Sequence, residues 1–279
     1  MEEEDVNVVI GFAVGIVITA ITITAMLLVR KRAPAGSYFS DGDRASGVFG
    51  VLATGFSVLL GFIIVIAFQS YDESRAGAEM EAEIVLQQVQ TAQFLPADTA
   101  EDLTGQLVCY ARSVIGPQWD ALERGQLSES INPWGGQMYL TIKAAHPQST
   151  AEQSAYDRWM DQTGERERAR VDRIHAAQGL VPLPLWIALF TIFVVILVYM
   201  LFFADPDEGA VTQSMLMGSV TLIITTLLAL LVFFNNPHGP GLGQLRPTAM
   251  ERTARQIDAE LDFAGLDLTP PCDSNGIAH

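Results

Sequence analysis

Residue types that perform chemistry are sparse in this sequence, and they do not cluster. The four histidines, His146, His175, His238 and His279, are widely separated and show no metal-ligand spacing. The sequence contains no phosphate-binding loop, no GxSxG nucleophile elbow and no HExxH or CxxC motif. We therefore expect no enzymatic activity, no catalytic residue, no bound cofactor and no metal ion.

One short acidic turn is the remaining candidate for ion binding. Asp205, Asp207 and Glu208 lie within four residues of one another, and their carboxylates could hold a hard cation. Such turns are more often solvated loop ends, and we predict no metal site here. The long apolar segments carry no Asp or Glu at their centres, so a proton-coupled carrier would lack its usual carboxylate.

The composition is typical of a membrane protein with acidic surfaces outside the bilayer. Hydrophobic residues make up 49% of the 279 residues, and charged residues make up 17%, against roughly 25% in soluble domains. The net charge of −16 argues against nucleic acid as a partner, because nucleic acid requires clustered Lys and Arg. The lipid bilayer is the partner that this composition predicts.

Four apolar segments are long enough to cross a hydrocarbon core of ~30 Å as helices: 6–29, 47–68, 182–203 and 214–234. The predicted fold is an all-α integral membrane protein with four transmembrane helices in a two-plus-two layout. A helical soluble region lies between spans two and three. The predicted segments are 1–46 (first transmembrane helix and polar loop), 47–95 (second transmembrane helix continuing as a stalk), 96–181 (helical soluble region), 182–236 (third and fourth transmembrane helices) and 237–279 (extramembrane helix and mobile tail).

The second span is predicted to continue without a break into water. Strong helix formers follow Phe68, and Pro96 is the first clear helix breaker. Along the membrane part of this helix, small and hydroxylated residues recur at intervals of three and four, which keeps them on one face. They are Gly47, Gly50, Thr54, Ser57 and Gly61.

This small-residue face has two interpretations. It could be a close contact between two helices, since small residues let helix backbones approach in lipid. Alternatively, it could face the axis of a pore, where small and hydroxylated side chains would line a conduit. Two further small-residue stripes, on the first and fourth spans, predict inward packing of those helices. They comprise Gly11, Gly15, Thr19 and Thr22, and Gly218, Thr221, Thr225 and Ala229.

The soluble region carries several local signals. Ser149 or Thr150, with Glu152 close behind, predicts the start of a long helix. That helix ends in the run 165–173 of alternating charges, which we interpret as a solvated face. Gly116-Pro117 is expected to end an earlier helix. The two cysteines, Cys109 and Cys272, fall on one side of the membrane in a four-span topology, and the sequence leaves open whether they pair.

An ordered set of short motifs resembles the bacterial bestrophin-like membrane family, a domain of unknown function. The motifs are Ser70-Tyr71-Asp72-x-x-Arg75, Tyr110-x-Arg112 with Trp119 further on, Arg170-x-x-Arg173, Pro182-x-Pro184-Leu185-Trp186, and Asn236-Pro237 followed by Gly241 and Arg246-Pro247. Each motif alone is weakly specific. Their order on a two-plus-two layout is what carries the resemblance.

The resemblance implies a distant likeness to bestrophins, which are pentameric anion channels. In those proteins the second span lines the pore and continues into a soluble region. The implied function is therefore an oligomeric, self-associating channel for anions. A bestrophin-type apolar neck would fall on Phe56, Leu60, Ile64 or Phe68. The alternative function is a non-conducting membrane-anchored scaffold or sensor whose acidic soluble region binds a partner. The implied location is the plasma membrane of a bacterial cell, with several spans.

Two signals for membrane orientation oppose each other. Arg30-Lys31-Arg32 follows the first span directly and predicts that this end is cytoplasmic, which puts residues 70–181 outside. The likeness to bestrophins implies instead that the large region is cytoplasmic. Arginines near the spans, such as Arg75 and Arg246, favour that second orientation.

Overall fold

The computed structural model describes residues 3–127, 132–265 and 268–279, and within these residues the fold is all-α. The described helices are α1 (Glu3–Arg30), α2 (Gly42–Ala92), α3 (Ala97–Ser113), α4 (Trp119–Glu123), α5 (Pro133–Ala144), α6 (Thr150–His175), α7 (Leu183–Phe202), α8 (Ala210–Asn235) and α9 (Thr248–Ala264). Helices α1, α2, α7 and α8 are long and apolar enough to cross a membrane. The predicted fold class is confirmed.

The chain divides into two compact units. The membrane unit comprises residues 3–69, 179–235 and 240–243, and the soluble unit comprises 70–178, 236–239 and 244–279. Helix α2 is 51 residues long. Its residues up to Gln69 belong to the membrane unit, and its residues from Ser70 onwards belong to the soluble unit. Helix α2 has no break between Gly42 and Ala92.

Within the membrane unit, α1 and α8 pack through small residues. A Cβ added at Gly15 would lie 3.4 Å from Thr225 Oγ1, and one added at Gly218 would lie 3.0 Å from Ile23 Cδ1. Thr221 is fully buried, and its hydroxyl donates to the carbonyl of Met217, so the contact carries no unpaired hydroxyl there. The predicted inward packing of these stripes is confirmed for these residues.

Two stripe residues differ from that prediction. Gly11 has nothing within 4 Å of an added Cβ, and Ala229 is exposed. The contact between α1 and α8 therefore covers the middle of each stripe, and Gly11 and Ala229 lie outside it.

Helix α2 packs against α7 and α8 through its bulky face. Phe56, Leu60, Ile63 and Ala67 are buried in a cluster with residues of α7 and α8. In lipid such a cluster is held by close packing rather than by exclusion of water, because lipid tails are as apolar as the side chains. The contributions from α7 and α8 are Leu189, Phe193, Ile196, Ile224, Leu228 and Leu231.

Hydrogen bonds close both ends of the membrane unit. At one end, Arg30 donates to the carbonyls of Asp205 and Pro206, and Gly36 N–H donates to Asp205 Oδ1. At the other end, Asn235 Oδ1 accepts from the backbone N–H groups of Leu180 and Val181, which leads the chain into α7. In the acidic turn, the Asp205 carboxylate is therefore engaged in a hydrogen bond that joins two loops.

The soluble unit has its own hydrophobic core, built from the second part of α2 with α3, α5, α6 and α9. Its largest fully buried side chains include Trp134, Trp159, Tyr110, Leu103 and Leu107. Helix α6 starts as predicted: Ser149 Oγ accepts from Glu152 N–H, and the Glu152 carboxylate accepts from Gln148 N–H. The first bond satisfies a backbone donor that the first turn leaves free, and the second ties Gln148, the residue before the N-cap, to the helix.

One local prediction for the soluble unit is wrong. Gly116-Pro117 does not end the helix, because residues Val114–Gln118 form a π-helical turn that leads directly into α4. Residues 268–279 of the C-terminal tail make contacts with the rest of the soluble unit. A disulfide joins Cys272 to Cys109 of α3, and Trp134 Nε1 donates to the Gly276 carbonyl at 2.6 Å.

Candidate functional site

The small-residue face of α2 is exposed along its whole length. Gly47, Gly50, Thr54, Ser57 and Gly61 all lie on the side of the helix away from the buried residues Phe56 and Leu60. A Cβ added at any of the three glycines would meet nothing within 4 Å. A close contact with another helix of the same described chain is therefore excluded for this face.

The spacing of the exposed face continues beyond Gly61 into bulkier residues. Val65 and Phe68 follow at intervals of four and three, and they are 53% and 48% exposed. The exposed face thus runs from glycines and hydroxyls to two apolar side chains near the end of the span. We refer to this continuous strip, from Gly47 to Phe68, as the α2 outer face.

The apolar neck expected from the resemblance is only partly on this face. Phe56 and Leu60 are 3% and 1% exposed inside the membrane unit, and Ile64 is half-buried. Phe68 alone among the four lies on the α2 outer face, with its ring 5.3 Å from that of Phe234. Val65, which the sequence reasoning missed, takes the neighbouring position, and the continued spacing of three and four could have found it.

A second arrangement of interest is a buried ion pair in the soluble unit. Arg173 of α6 donates from Nε and Nη2 to the two carboxylate oxygens of Glu81 on α2, and Tyr110 donates its hydroxyl to Glu81 Oε1 at 2.5 Å. Helix α6 approaches α2 closely here, since a Cβ added at Gly77 would lie 2.5 Å from the backbone nitrogen of Arg173. Two donor side chains, one from α6 and one from α3, therefore meet on one carboxylate of α2.

The π-helical turn supplies further contacts to this ion pair. Gln118 Oε1 accepts from Arg173 Nη2 at 3.2 Å, and Gln118 Nε2 donates to Ser113 Oγ at 3.0 Å. Trp119, the next residue, places its ring 6.0 Å from the Arg173 guanidinium carbon and 5.4 Å from the His238 ring. The distortion at Pro117 thus orients two consecutive side chains towards Arg173.

A second buried arginine lies next to this group. Arg166, two turns before Arg173 on α6, donates to Gln88 Oε1 at 2.6 Å and lies 4.9 Å from the centre of the Tyr110 ring. Its Nη2 lies 3.7 Å from the carboxylate of Glu167. The buried charge network therefore comprises Glu81, Arg166 and Arg173, with Gln88, Tyr110, Gln118, Trp119 and His238 around them.

Burial sets the protonation of this network. Burial, followed by the charge of Glu81, raises the pKa of Tyr110 well above its usual value, so the phenol stays protonated and acts as a donor. Burial alone would lower the pKa of Arg173, but Glu81 outweighs it and the pKa is raised. Burial and then the positive charge of Arg173 lower the pKa of His238 to about 4, so this imidazole is neutral at pH 7.

The structure brings only some of the family-motif residues together. Arg173 and Trp119 meet in the network, and His238, beside Pro237, joins them. Ser70 is buried one helical turn before Ser74, and Arg112 donates to the Asp273 carbonyl at 3.2 Å.

The other motif residues lie at separate positions. Asp72 is exposed, Tyr71 is half-buried, and Arg75 forms an exposed ion pair with Glu79. Arg170 contacts Glu167, Pro182 precedes α7, and Trp186 stacks on Phe190. These residues are spread along α2, α6 and the start of α7 and do not meet at one centre.

Among the described residues, no group of three or more His, Cys, Asp or Glu side chains is arranged to hold a metal ion. In the acidic turn, Asp205 Oδ1 accepts from Asp207 N–H, and Glu208 Oε2 accepts from Gln213. These carboxylates therefore serve as caps for the loop and for α8.

The charged run of α6 was interpreted as a solvated face, and that interpretation is wrong for two of its residues. Glu165 and Arg168 are exposed, whereas Arg166 and Arg173 are 1% exposed. Arg166 and Arg173 are seven residues apart, so they share the face that also bears Ala169. The spacing shows that these residues share a face, but the burial of that face depends on the partner carboxylate of Glu81 on α2.

Comparison with known proteins gives the family and the fold. A family model described as the bestrophin-like domain matches residues 16–248. A solved structure of a bacterial bestrophin homologue from Klebsiella pneumoniae is similar, with a TM-score of 0.65, 14% identity, and coverage of 93% of this chain and 99% of that chain. A variant of that homologue gives a TM-score of 0.65 at 14% identity, covering 92% of this chain and 98% of that chain.

Another solved structure, a variant of a protein described as a membrane protein, gives a TM-score of 0.67 at 14% identity, covering 93% of this chain and 99% of that chain. The search of curated proteins gave no match. Since the family model covers most of the sequence, from within α1 to the start of α9, the chain belongs to the bestrophin-like family.

Proposed function

We propose that this protein is an oligomeric anion channel in which the α2 outer face of each copy lines a central axis. The observation that carries the proposal is the composition of that face: exposed glycines and hydroxyls give way to exposed Val65 and Phe68. A ring of copies would then enclose a wide stretch followed by an apolar constriction. Membership of the bestrophin-like family, and the likeness of that family to anion channels, support the choice of activity.

The chemistry of the face is compatible with anions. No carboxylate lies between Gly47 and Phe68, so nothing on the face would repel a negative ion. The Ser57 hydroxyl donates to the Ala53 carbonyl at 2.9 Å, which holds the side chain against the helix and keeps the surface smooth. A constriction of apolar side chains would control passage by its width and its wetting rather than by charge.

Self-association is the first part of the proposal to test. The mass of the protein in mild detergent or nanodiscs should be that of a discrete oligomer. With a bifunctional maleimide long enough to reach across an axis, Gly50→Cys and Ser57→Cys should cross-link between copies through α2, whereas Val194→Cys, on the exposed side of α7, should not. A monomer, or cross-links only through α7, would contradict an arrangement around α2.

Conduction is tested separately in liposomes that contain the purified protein. Chloride efflux should fall in Ser57→Phe, since the new ring would project from the α2 outer face. Efflux should rise in Phe68→Ala, which widens the proposed constriction. An oligomer without efflux would favour the alternative function, a non-conducting scaffold or sensor whose acidic soluble unit binds a partner. The proposed location is the plasma membrane of a bacterial cell.

A further inference from the structure

The two cysteines of the chain are joined in a disulfide inside the soluble unit. Cys109 of α3 and Cys272 of the C-terminal segment have Cα atoms 5.8 Å apart, and both residues are buried in the hydrophobic core. They are the only cysteines in the sequence. The sequence left their pairing open, and the structure settles it.

Contacts other than the disulfide bond also seat the C-terminal segment on α3. Gly276 has a φ of +73°, and an added Cβ there would lie 2.5 Å from the Ser113 nitrogen and 2.6 Å from the Cys109 oxygen. Arg112 donates to the Asp273 carbonyl at 3.2 Å. The segment is therefore shaped to fit α3, and this fit holds the two sulfur atoms together.

Disulfides persist in oxidising compartments and are rare in the cytosol of ordinary cells, where thiols are kept reduced. A buried disulfide that is matched by the packing around it thus indicates that the soluble unit lies outside the cytoplasm. This indication comes from the core of the soluble unit and is independent of the charges beside the spans.

The charges beside the first span point the same way. Arg30, Lys31 and Arg32 follow α1, and the positive-inside rule places such a cluster in the cytoplasm. Arg30 also donates to carbonyls of the loop between α7 and α8, so both loops lie at one end of the membrane unit. The chain then crosses the membrane once more through α2 before it reaches Ser70.

Arginines that favoured the opposite orientation have another role. Arg246 pairs with Glu123 at 3.2 Å, and Arg173 is buried in the charge network, where it binds Glu81 and Gln118. Their positions are therefore set by packing within the soluble unit. The rule also applies weakly to segments longer than ~60 residues, which are translocated largely regardless of charge.

We infer that residues 70–178 and 236–279 lie on the extracytoplasmic side of the membrane and carry one disulfide there. This orientation is opposite to the one that the likeness to bestrophins implies. The inference does not depend on conduction, because a channel and a non-conducting sensor would show the same orientation.

The orientation is tested by labelling spheroplasts with a membrane-impermeant thiol reagent. The native protein serves as the background, because both of its cysteines are paired. Ser154→Cys, exposed on α6, should react in intact spheroplasts, and Ala35→Cys, exposed between α1 and α2, should react only after permeabilisation. The reverse pattern would overturn the inference.

The disulfide is tested on the unaltered chain. Cells are quenched with acid and the protein is denatured and treated with a maleimide polymer, which adds mass to each free thiol. No addition should occur without reductant, and two additions per chain should occur after reduction. Two additions without reductant would show reduced cysteines and would overturn the disulfide part.

A fusion provides a second test of the orientation. Alkaline phosphatase fused after His279 should be active, because that enzyme works only outside the cytoplasm.

Discussion

Arg173 donates hydrogen bonds to both carboxylate oxygens of Glu81, and neither side chain is more than 1% exposed. The pair joins α6 to the second part of α2. A buried pair adds little stability compared with well-packed apolar residues, but removal of one partner leaves a charge without compensation. The pair should therefore be most informative when its members are changed one at a time and then together.

Glu81→Gln should lower the free energy of unfolding of the soluble unit by about 3–5 kcal/mol, because Arg173 would keep its buried charge without a carboxylate. Chemical denaturation in detergent, followed by tryptophan fluorescence, measures the loss. The double variant Glu81→Leu, Arg173→Met should recover part of it, since no buried charge remains.

The matched control for that variant is Glu79→Gln, two residues earlier on α2. Glu79 is 3.3 Å from Arg75, and both side chains are more than half exposed. Exposed pairs contribute roughly 0–1 kcal/mol, so this change should have a small effect. Equal losses of unfolding free energy in the Glu79 and Glu81 variants would show that the buried pair matters no more to stability than the exposed pair.

His238 should make stability depend on pH in the mildly acidic range. Its pKa is about 4 in the folded protein, against an ordinary value of 6.5, so the unfolded chain binds more protons between these values. Stability is then fully present above pH 6.5 and falls as the pH drops towards 4. For this shift the loss is about 2 kcal/mol by pH 5.

The groups that face His238 are Trp119 and Arg173, and Arg173 is in turn neutralised by Glu81. Because acid acts on the whole chain, the prediction concerns a difference between variants. Thermal unfolding at pH 7 and pH 5 should show a smaller pH effect in His238→Gln than in the native protein. His146→Gln, at an exposed position, should keep the native pH effect.

The apolar framework of this protein was predictable from the sequence because it rests on local patterns. The spans follow from segment length, the continuous α2 from the absence of a breaker before Pro96, and the start of α6 from Ser149 and Glu152. Each of these features depends on residues within a few turns of one another.

The buried charge network and the seated C-terminal segment depend on contacts across long distances in the chain. Glu81 and Arg173 are 92 residues apart, and Cys109 and Cys272 are 163 apart. The periodicity of α6 alone did not distinguish buried arginines from solvated ones, since the partner carboxylate lies on another helix. The α2 outer face was recognised as a stripe, but its exposure could be known only once the other helices were placed.

Gly276→Ala should weaken the hold on the C-terminal segment. The positive φ costs an L-residue about 1–2 kcal/mol, and here the new Cβ would also meet the backbone of Ser113 and Cys109. The variant should unfold at lower denaturant, and its disulfide should be reduced at lower dithiothreitol concentration, as read by maleimide gel shift.

Gly265→Ala is the control for this substitution. Its φ is +64°, but nothing lies within 4 Å of an added Cβ. It should therefore show only the cost of the backbone conformation and native sensitivity of the disulfide to reductant. If both variants gave equally sensitive disulfides, the close fit between Gly276 and α3 would not be what protects the bond.

Gly50→Ala distinguishes the two interpretations of the α2 outer face. Within one copy the new methyl group would meet nothing within 4 Å, and Ala is favoured over Gly in a helix by about 0.5–1 kcal/mol. The fold of a single copy should therefore be retained.

The effect on the oligomer then separates the two interpretations. If α2 helices of neighbouring copies pack closely through Gly50, the methyl group would separate them and the oligomer mass would fall. If the face lines an axis, as proposed, the oligomer should persist, and only larger side chains such as Gly61→Leu should reduce chloride efflux. Gly218→Leu provides the contrast, because Ile23 already lies 3.0 Å from an added Cβ there and the membrane unit itself should be destabilised.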